Sequence, residues 1–291
     1  MTDVPAGGRQ AMTERQQHRR RQGAGVAAGV LCVCLAGSGC AGSGAAAEDS
    51  RGRDAVEVVR RAADALVGAR SSKARTSMEM ATGGTRVTIR GEGVYDFRKQ
   101  LGQLKVLLPQ DPAGATAHRP IMELLAPGAL FMKNRGAGVP ADKWVRVDTR
   151  SLSDGNLVTG GATDPFAAAE VLRGARTATY VGEKEVAGTA VRHYRGTADL
   201  GAAAQEASDG NREALAAAAK GFATDEVPFD VYLDDDGRIR KVRHRFSFVN
   251  GQPSGGAVAV ASTTLLYDFG APVDVRLPDR EDIYAGKIAE E

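Results

Sequence analysis

The stretch from Arg86 to Phe97 constrains the fold more than any other part of the chain. Val87, Ile89, Tyr95 and Phe97 share one parity, with Gly91 and Gly93 between them, and Arg86, Thr88, Arg90 and Glu92 share the other. Successive side chains of a strand point to opposite faces, so a period of two describes a strand with one buried and one wet face. Glycine at two inward positions marks a bend or the close approach of another backbone, and predicts a sheet that curls.

The same alternation returns along the chain. Leu104, Val106 and Leu108 share a parity, Lys143 to Asp148 reads as a strand, and Phe229, Val231 and Leu233 alternate with Asp230, Tyr232 and Asp234. Thr76 to Ala81, Thr177 to Glu185, Ala190 to Asp199, Arg238 to Phe248 and Ala257 to Tyr267 read as further strands. Ile121 to Lys133 is apolar and broken by Pro127-Gly128, as two short strands would be. Gly83-Gly84, Ala187-Gly188 and Asp235-Asp236-Gly237 supply turns. About ten strands joined by short turns predict a mainly antiparallel sheet, and the helices are too few for alternating β-α units.

Three helices are expected. Asp54 to Ala69 opens on Asp54 with Glu57 three residues on, a capping arrangement, and aligns Val56, Val59, Ala63 and Leu66 on one face. Asp164-Pro165 opens a second helix reaching about Leu172, with proline at a tolerated first-turn position. Ala202 to Ala219 is alanine-rich and reads as one helix that could cover the sheet.

The amino-terminal region has the order of an export signal. Arg15, His18, Arg19, Arg20 and Arg21 precede an uncharged, mostly apolar run from Gly23 to Leu35, and small residues lead to Cys40. That run is shorter than the roughly 20 apolar residues of a stable span, so cleavage is expected. Met12 is an equally good start for such a signal. Residues 1–39 are read as the signal, 40–53 as a small, polar tether, and 54–291 as one domain. A plain secretory signal cut near Ala45-Ala46-Ala47 is the alternative. A location outside the cytoplasm is expected.

All three cysteines, Cys32, Cys34 and Cys40, lie in or at the end of this signal, so the remainder can form neither an internal disulfide nor a thiolate zinc site. The formal charge is +2, from 38 Lys and Arg against 36 Asp and Glu. Five of those cations and two of those anions precede Cys40, leaving the rest near −1. Nucleic acid is therefore not an expected partner. There is no nucleophile elbow, phosphate-cradling loop or H-E-x-x-H. Asp234-Asp235-Asp236-Gly237 lacks EF-hand spacing and reads as a hairpin turn. His193 and His244 read as surface or packed histidines and Trp144 as core or cavity wall. No catalytic residue, metal or cofactor is assigned, and the chain is not expected to be an enzyme.

Several segments together carry a resemblance. Leu35-Ala36-Gly37-Ser38-Gly39-Cys40 resembles a bacterial lipobox, with Gly37 where that pattern has an aliphatic residue. After it come Lys143-Trp144-Val145-Arg146-Val147, then Gly188-Thr189-Ala190-Val191-Arg192-His193-Tyr194-Arg195-Gly196. Val231-Tyr232-Leu233-Asp234-Asp235-Asp236-Gly237-Arg238-Ile239-Arg240-Lys241 and Tyr267-Asp268-Phe269-Gly270-Ala271-Pro272-Val273 follow in order. The chain resembles actinobacterial lipoproteins related to LppX, LprA, LprF and LprG, and more distantly the LolA and LolB lipoprotein carriers. A composition high in Ala, Gly and Arg fits such a source.

The resemblance implies an α+β fold: a strongly curved, mainly antiparallel sheet forming an incomplete β-barrel, covered by a few helices and enclosing an apolar cavity. It implies acyl lipid attached at Cys40 and a lipid or glycolipid whose acyl chains enter the cavity, to be carried or presented in the cell envelope. Candidate lining residues are Val87, Ile89, Tyr95, Phe97, Leu104, Val106, Val145, Phe229, Val231, Phe246 and Leu265. The alternative function is a non-enzymatic interaction module that docks onto an envelope enzyme, transporter or sensor.

Overall fold

The computed structural model describes residues 43–82, 85–109, 119–136, 138–160, 162–249 and 257–286. The stretch read as the signal and Cys40 lie outside them. Eleven strands among the described residues form one antiparallel sheet. They are β1 (Ser71–Thr82), β2 (Thr85–Asp96), β3 (Leu101–Leu107), β4 (Ile121–Ala126), β5 (Ala129–Lys133), β6 (Val145–Asp148), β7 (Ala175–Val186), β8 (Thr189–Asp199), β9 (Glu226–Leu233), β10 (Ile239–Val249) and β11 (Ala257–Tyr267).

The spatial order is β6-β5-β4-β3-β2-β1-β11-β10-β9-β8-β7. Every neighbour but one is also a neighbour in sequence; the exception is β1 against β11, which joins the two ends of the chain at the middle of the sheet. The edges are β6 and β7, so the curved sheet stays open. The fold is α+β, and its sheet is antiparallel as the alternation predicts. Edge strands present unpaired backbone groups, and here both edges are partly covered. Arg60 donates twice to the Ala175 carbonyl at the start of β7, at 3.0 and 2.7 Å. The carboxy-terminal segment reaches β6: Trp144 N–H donates to Asp282 O and Tyr284 N–H to Trp144 O, both at 2.8 Å.

The helices are α1 (Ser43–Arg60), α2 (Ala62–Ala69), α3 (Pro165–Val171), α4 (Leu200–Glu206) and α5 (Asp209–Gly221). Helical backbone begins at Ser43, well ahead of Asp54, so much of the stretch read as a tether is helical. Ala45-Ala46-Ala47 has the highest intrinsic helix propensity, and no proline interrupts it. The segment Asp54–Ala69 is two helices with a break at Arg61. Asp164 caps α3 by accepting from Phe166 N and Ala167 N at 2.7 and 3.0 Å, with Pro165 in the first turn. The alanine-rich region also divides, at Ala207-Ser208, into α4 and α5.

Register across the sheet defines its two faces. Tyr194, Val231, Val242, Thr264, Thr76, Gly91, Val106 and Ile121 form one row from β8 to β4. This inner face and the helices share one core, which includes Leu66 of α2, Phe166 of α3, Ala203 of α4 and Leu215 and Ala218 of α5. Helix α5 packs closely on the loop that follows β6: a Cβ at Gly155 would strike the Ala214 carbonyl, and one at Gly221 the Ser153 carbonyl.

Candidate functional site: the inner face of the sheet

Nine of the eleven candidate lining residues, Ile89, Tyr95, Phe97, Leu104, Val106, Val145, Phe229, Val231 and Phe246, are buried on the inner face. Val87 is half-buried and packs against the same core. Leu265 is elsewhere. It pairs with Arg75 and Lys241 and so points to the opposite, outer face, while its neighbours Thr264 and Leu266 point inward. Trp144 belongs to a separate small cluster with Leu124, Ala129 and Phe131.

Two aromatic contacts fasten the helices over this face. At one end Phe166 of α3 lies against Tyr95 and Phe97, with ring centroids 6.4 and 6.0 Å apart. At the other, Phe222, just after α5, stacks on Phe246 at 5.0 Å and contacts Phe248 at 4.5 Å. Between them the alanines of α4 and α5 contribute little side-chain entropy or bulk.

Polar groups are set into this apolar surface. Ser72, Thr76, Thr264 and His244 are buried, and Ser72 Oγ, Thr76 Oγ1, Thr264 Oγ1 and His244 Nε2 have no hydrogen-bond partner among the described residues. Thr76 is directly opposite Thr264, and His244 is opposite Ser262, whose hydroxyl meets that of Thr163. Burial pushes the His244 imidazole down to about 3, so it is neutral at physiological pH.

Carboxyls that sequence reading did not single out flank the α3 end. Glu123 of β4 is wholly buried and neither oxygen has a partner among the described residues. Burial raises it to about 8, against the pull of the Arg135 guanidinium and with a further push from Asp164. Asp164 rises to about 6, again through burial, partly offset by the Ala167 and Phe166 amides and by the Tyr95 hydroxyl, which donates at 3.2 Å. Burial and the Asp164 charge hold the Tyr95 phenol well above its usual range. An isolated Glu at an inward strand position is visible in the sequence as a polar interruption of the apolar run Ile121–Ala126, and that was its one signal.

On the outer face Asp230 is buried under three donors: His193 Nε2 at 2.8 Å, Arg195 Nε at 2.9 Å and Arg245 Nη2 at 2.9 Å. Burial opposes its ionisation, but the three hydrogen bonds outweigh it and lower the carboxyl. His193 also stacks on Tyr232, with centroids 4.3 Å apart. Both histidines are packed, as expected. No group of three or more His, Cys, Asp or Glu that could hold a metal occurs among the described residues. No helix among them is long and apolar enough to cross a membrane.

No protein-family model matches the sequence. No curated protein matches it either. Solved structures align with about three quarters of the chain. The lipoprotein LppX of Mycobacterium tuberculosis aligns over 77% of this chain and 99% of its own, at 10% identity and a TM-score of 0.45. LprF of Mycobacterium bovis aligns over 78% and 97%, at 13% identity and a TM-score of 0.39. A Vibrio parahaemolyticus domain described as a candidate outer-membrane lipoprotein-sorting protein aligns over 76% and 94%, at 10% identity and a TM-score of 0.32. LppX and LprF are among the proteins that the sequence motifs resemble.

Proposed function

We propose that this chain is an exported lipoprotein, held at the outer face of the cytoplasmic membrane by lipid on Cys40, that binds the acyl chains of a lipid or glycolipid against the inner face of its sheet. It would carry or present that lipid in the cell envelope and needs no bond-making chemistry to do so. Acyl chains leave water for an apolar surface, at about 25 cal/mol for each Å² of apolar area buried.

The observation that carries this reading is the pairing of a continuous apolar inner face with buried polar atoms that lack partners. A domain stabilised only by its own packing gains nothing from Thr76, Thr264 and His244 at inward positions. Each buried polar group left unpaired costs about 1–3 kcal/mol. Ester or hydroxyl groups of an amphiphile between sheet and helices would remove that cost. The alanine-rich helices α4 and α5, fastened by Phe222 at one end, are suited to move aside for the chains. In this reading the lining is Val87, Ile89, Tyr95, Phe97, Leu104, Val106, Val145, Phe229, Val231 and Phe246, without Leu265.

The test is native mass spectrometry of the protein purified from the membranes of an actinobacterial host, with organic extraction of anything bound. A stoichiometric diacyl lipid or glycolipid supports the reading and gives the ligand class. A clean unliganded mass, unchanged after incubation with total host lipids, overturns it. The same spectra report whether residue 40 begins the mature chain and bears acyl groups.

A further inference from the structure

The face of the sheet turned away from the helices carries a hollow that a packed domain does not require. Its geometry follows from two neighbouring rows of the register. One row reads Lys241, Leu265, Arg75, Glu92 and Lys105; the next reads Arg243, Thr263, Ser77, Arg90 and Leu107. The short side chains of Ser77 and Thr263 sit among long ones. They therefore leave a depression of about 360 Å³, walled by Arg75, Arg90, Lys105, Glu92, Leu107 and Leu265.

The chemistry of the hollow is asymmetric. Three cations face a single carboxylate, and no carboxylate among the described residues forms an ion pair with Arg75, Arg90 or Lys105. Arg75 instead lies over the Tyr267 ring, 5.1 Å from its centroid. Leu107 is 44% exposed, a large aliphatic side chain open to solvent between charged neighbours. The cationic character continues onto β10, where Arg243 pairs with Glu79 at 3.5 Å and Arg245 with Asp230 at 2.9 Å. Charge is thus segregated: the chain is close to neutral as a whole, while this face is basic.

From these features we infer that the outer face of β3, β2, β1, β11 and β10 docks on an anionic phospholipid surface, with a lipid phosphate seated in the hollow. Arg75, Arg90 and Lys105 supply the charge, and the Ser77 and Thr263 hydroxyls can donate to phosphate oxygens. Leu107 and Leu265 meet the first methylenes below the headgroup. Cations near an anionic bilayer each strengthen binding several-fold, and the attraction fades within a Debye length as salt rises. The site is on the opposite side of the sheet from the inner-face lipid of the proposed function, so either can fail without the other.

Co-sedimentation of the mature chain, beginning at residue 40 and bearing Cys40→Ser, tests this, with vesicles of phosphatidylcholine alone or mixed equally with phosphatidylglycerol. The expected result is stronger, salt-sensitive binding to the mixed vesicles. Replacing Arg75, Arg90 and Lys105 together by Gln should weaken that binding on the order of a hundredfold, with the unfolding midpoint and circular dichroism unchanged because all three side chains are exposed. Leu107→Ser should remove the part of the binding that survives high salt, and Lys184→Gln on the β7–β8 hairpin should leave binding as it was. Equal binding to the two vesicle types overturns the inference. So does a triple variant that binds like the parent, or a Lys184→Gln loss as large as the triple one. Binding to an acidic peptide but not to the mixed vesicles also overturns it, and would reassign the face to a protein partner.

Discussion

Glu170, buried in α3, accepts the Ser208 hydroxyl at 2.9 Å through one carboxylate oxygen and the Ser208 amide at 2.8 Å through the other. Asn211 adds a third donor at 2.6 Å. This one side chain sets where α4 ends and α5 begins, and ties both to α3. Glu170→Ala would strand those donors away from water. Breaking a charged, buried hydrogen-bond centre costs about 3–5 kcal/mol, so urea unfolding should shift accordingly. A double-mutant cycle with Ser208→Ala should show coupling, since either single variant already breaks the hydrogen bond from the Ser208 hydroxyl to Glu170. Additive effects in that cycle would refute the assignment.

Gly93 lies on the inner face of β2 against the backbone of β3: a Cβ there would collide with the Gln103 carbonyl. At Gly91 the nearest obstacles are the side chains of Thr76 and Ala162, and the Thr76 hydroxyl can rotate away. Gly93→Ala should therefore cost about 3 kcal/mol, the upper end for overpacking, and Gly91→Ala about 1 kcal/mol. Thermal unfolding of the two variants checks the order, and a reversed order would mean that β2 and β3 do not approach as described.

These two glycines show what was legible in the sequence. Period-two patterning gave the strands, their inward parity and two inward glycines on β2, of which Gly93 meets the backbone of β3. It misses the division at Ser208: the alanines on either side read as one helix, although Ser208-Asp209-Gly210-Asn211 between them is turn and cap chemistry, and the acceptor that fixes the break, Glu170, is 38 residues away. It misassigned Leu265 for a related reason. On β11 the inward row is Val260, Ser262, Thr264 and Leu266, so two hydroxyls hide the apolar parity and Leu265 looks as eligible as its neighbour. Buried polar groups erase the signal that local reading depends on, and the inner face contains several.

Glu123 gives the fold a pH dependence with a definite sign. Its carboxyl titrates near 4.5 when unfolded and about 8 when folded. Between these values the folded state holds a proton that the unfolded state has released, so stability falls as pH rises from about 4.5 through 8. Asp164, raised to about 6, contributes in the same direction at lower pH. Glu123→Gln removes the first contribution and leaves the second. The variant's unfolding free energy should be nearly flat between pH 6.5 and 8, where the parent loses about 1.5 kcal/mol. Parallel pH profiles for parent and variant would place Glu123 in contact with water.

Thr264 connects stability to the proposed function. Its hydroxyl is buried and has no partner among the described residues, while Val has the same shape without the polar atom. In the unliganded protein Thr264→Val removes an uncompensated desolvation cost, and the melting temperature should rise by the equivalent of about 1–3 kcal/mol. If the polar part of an amphiphile is received at this row, the loaded protein behaves in the opposite way. Ligand then has one donor fewer to satisfy, and the rise in melting temperature on adding extracted host lipid shrinks in the variant. Differential scanning calorimetry with and without lipid separates the two effects. A variant that is more stable alone and gains as much from lipid as the parent would move the ligand's polar group away from Thr264. A variant no more stable alone would mean that the hydroxyl is already satisfied.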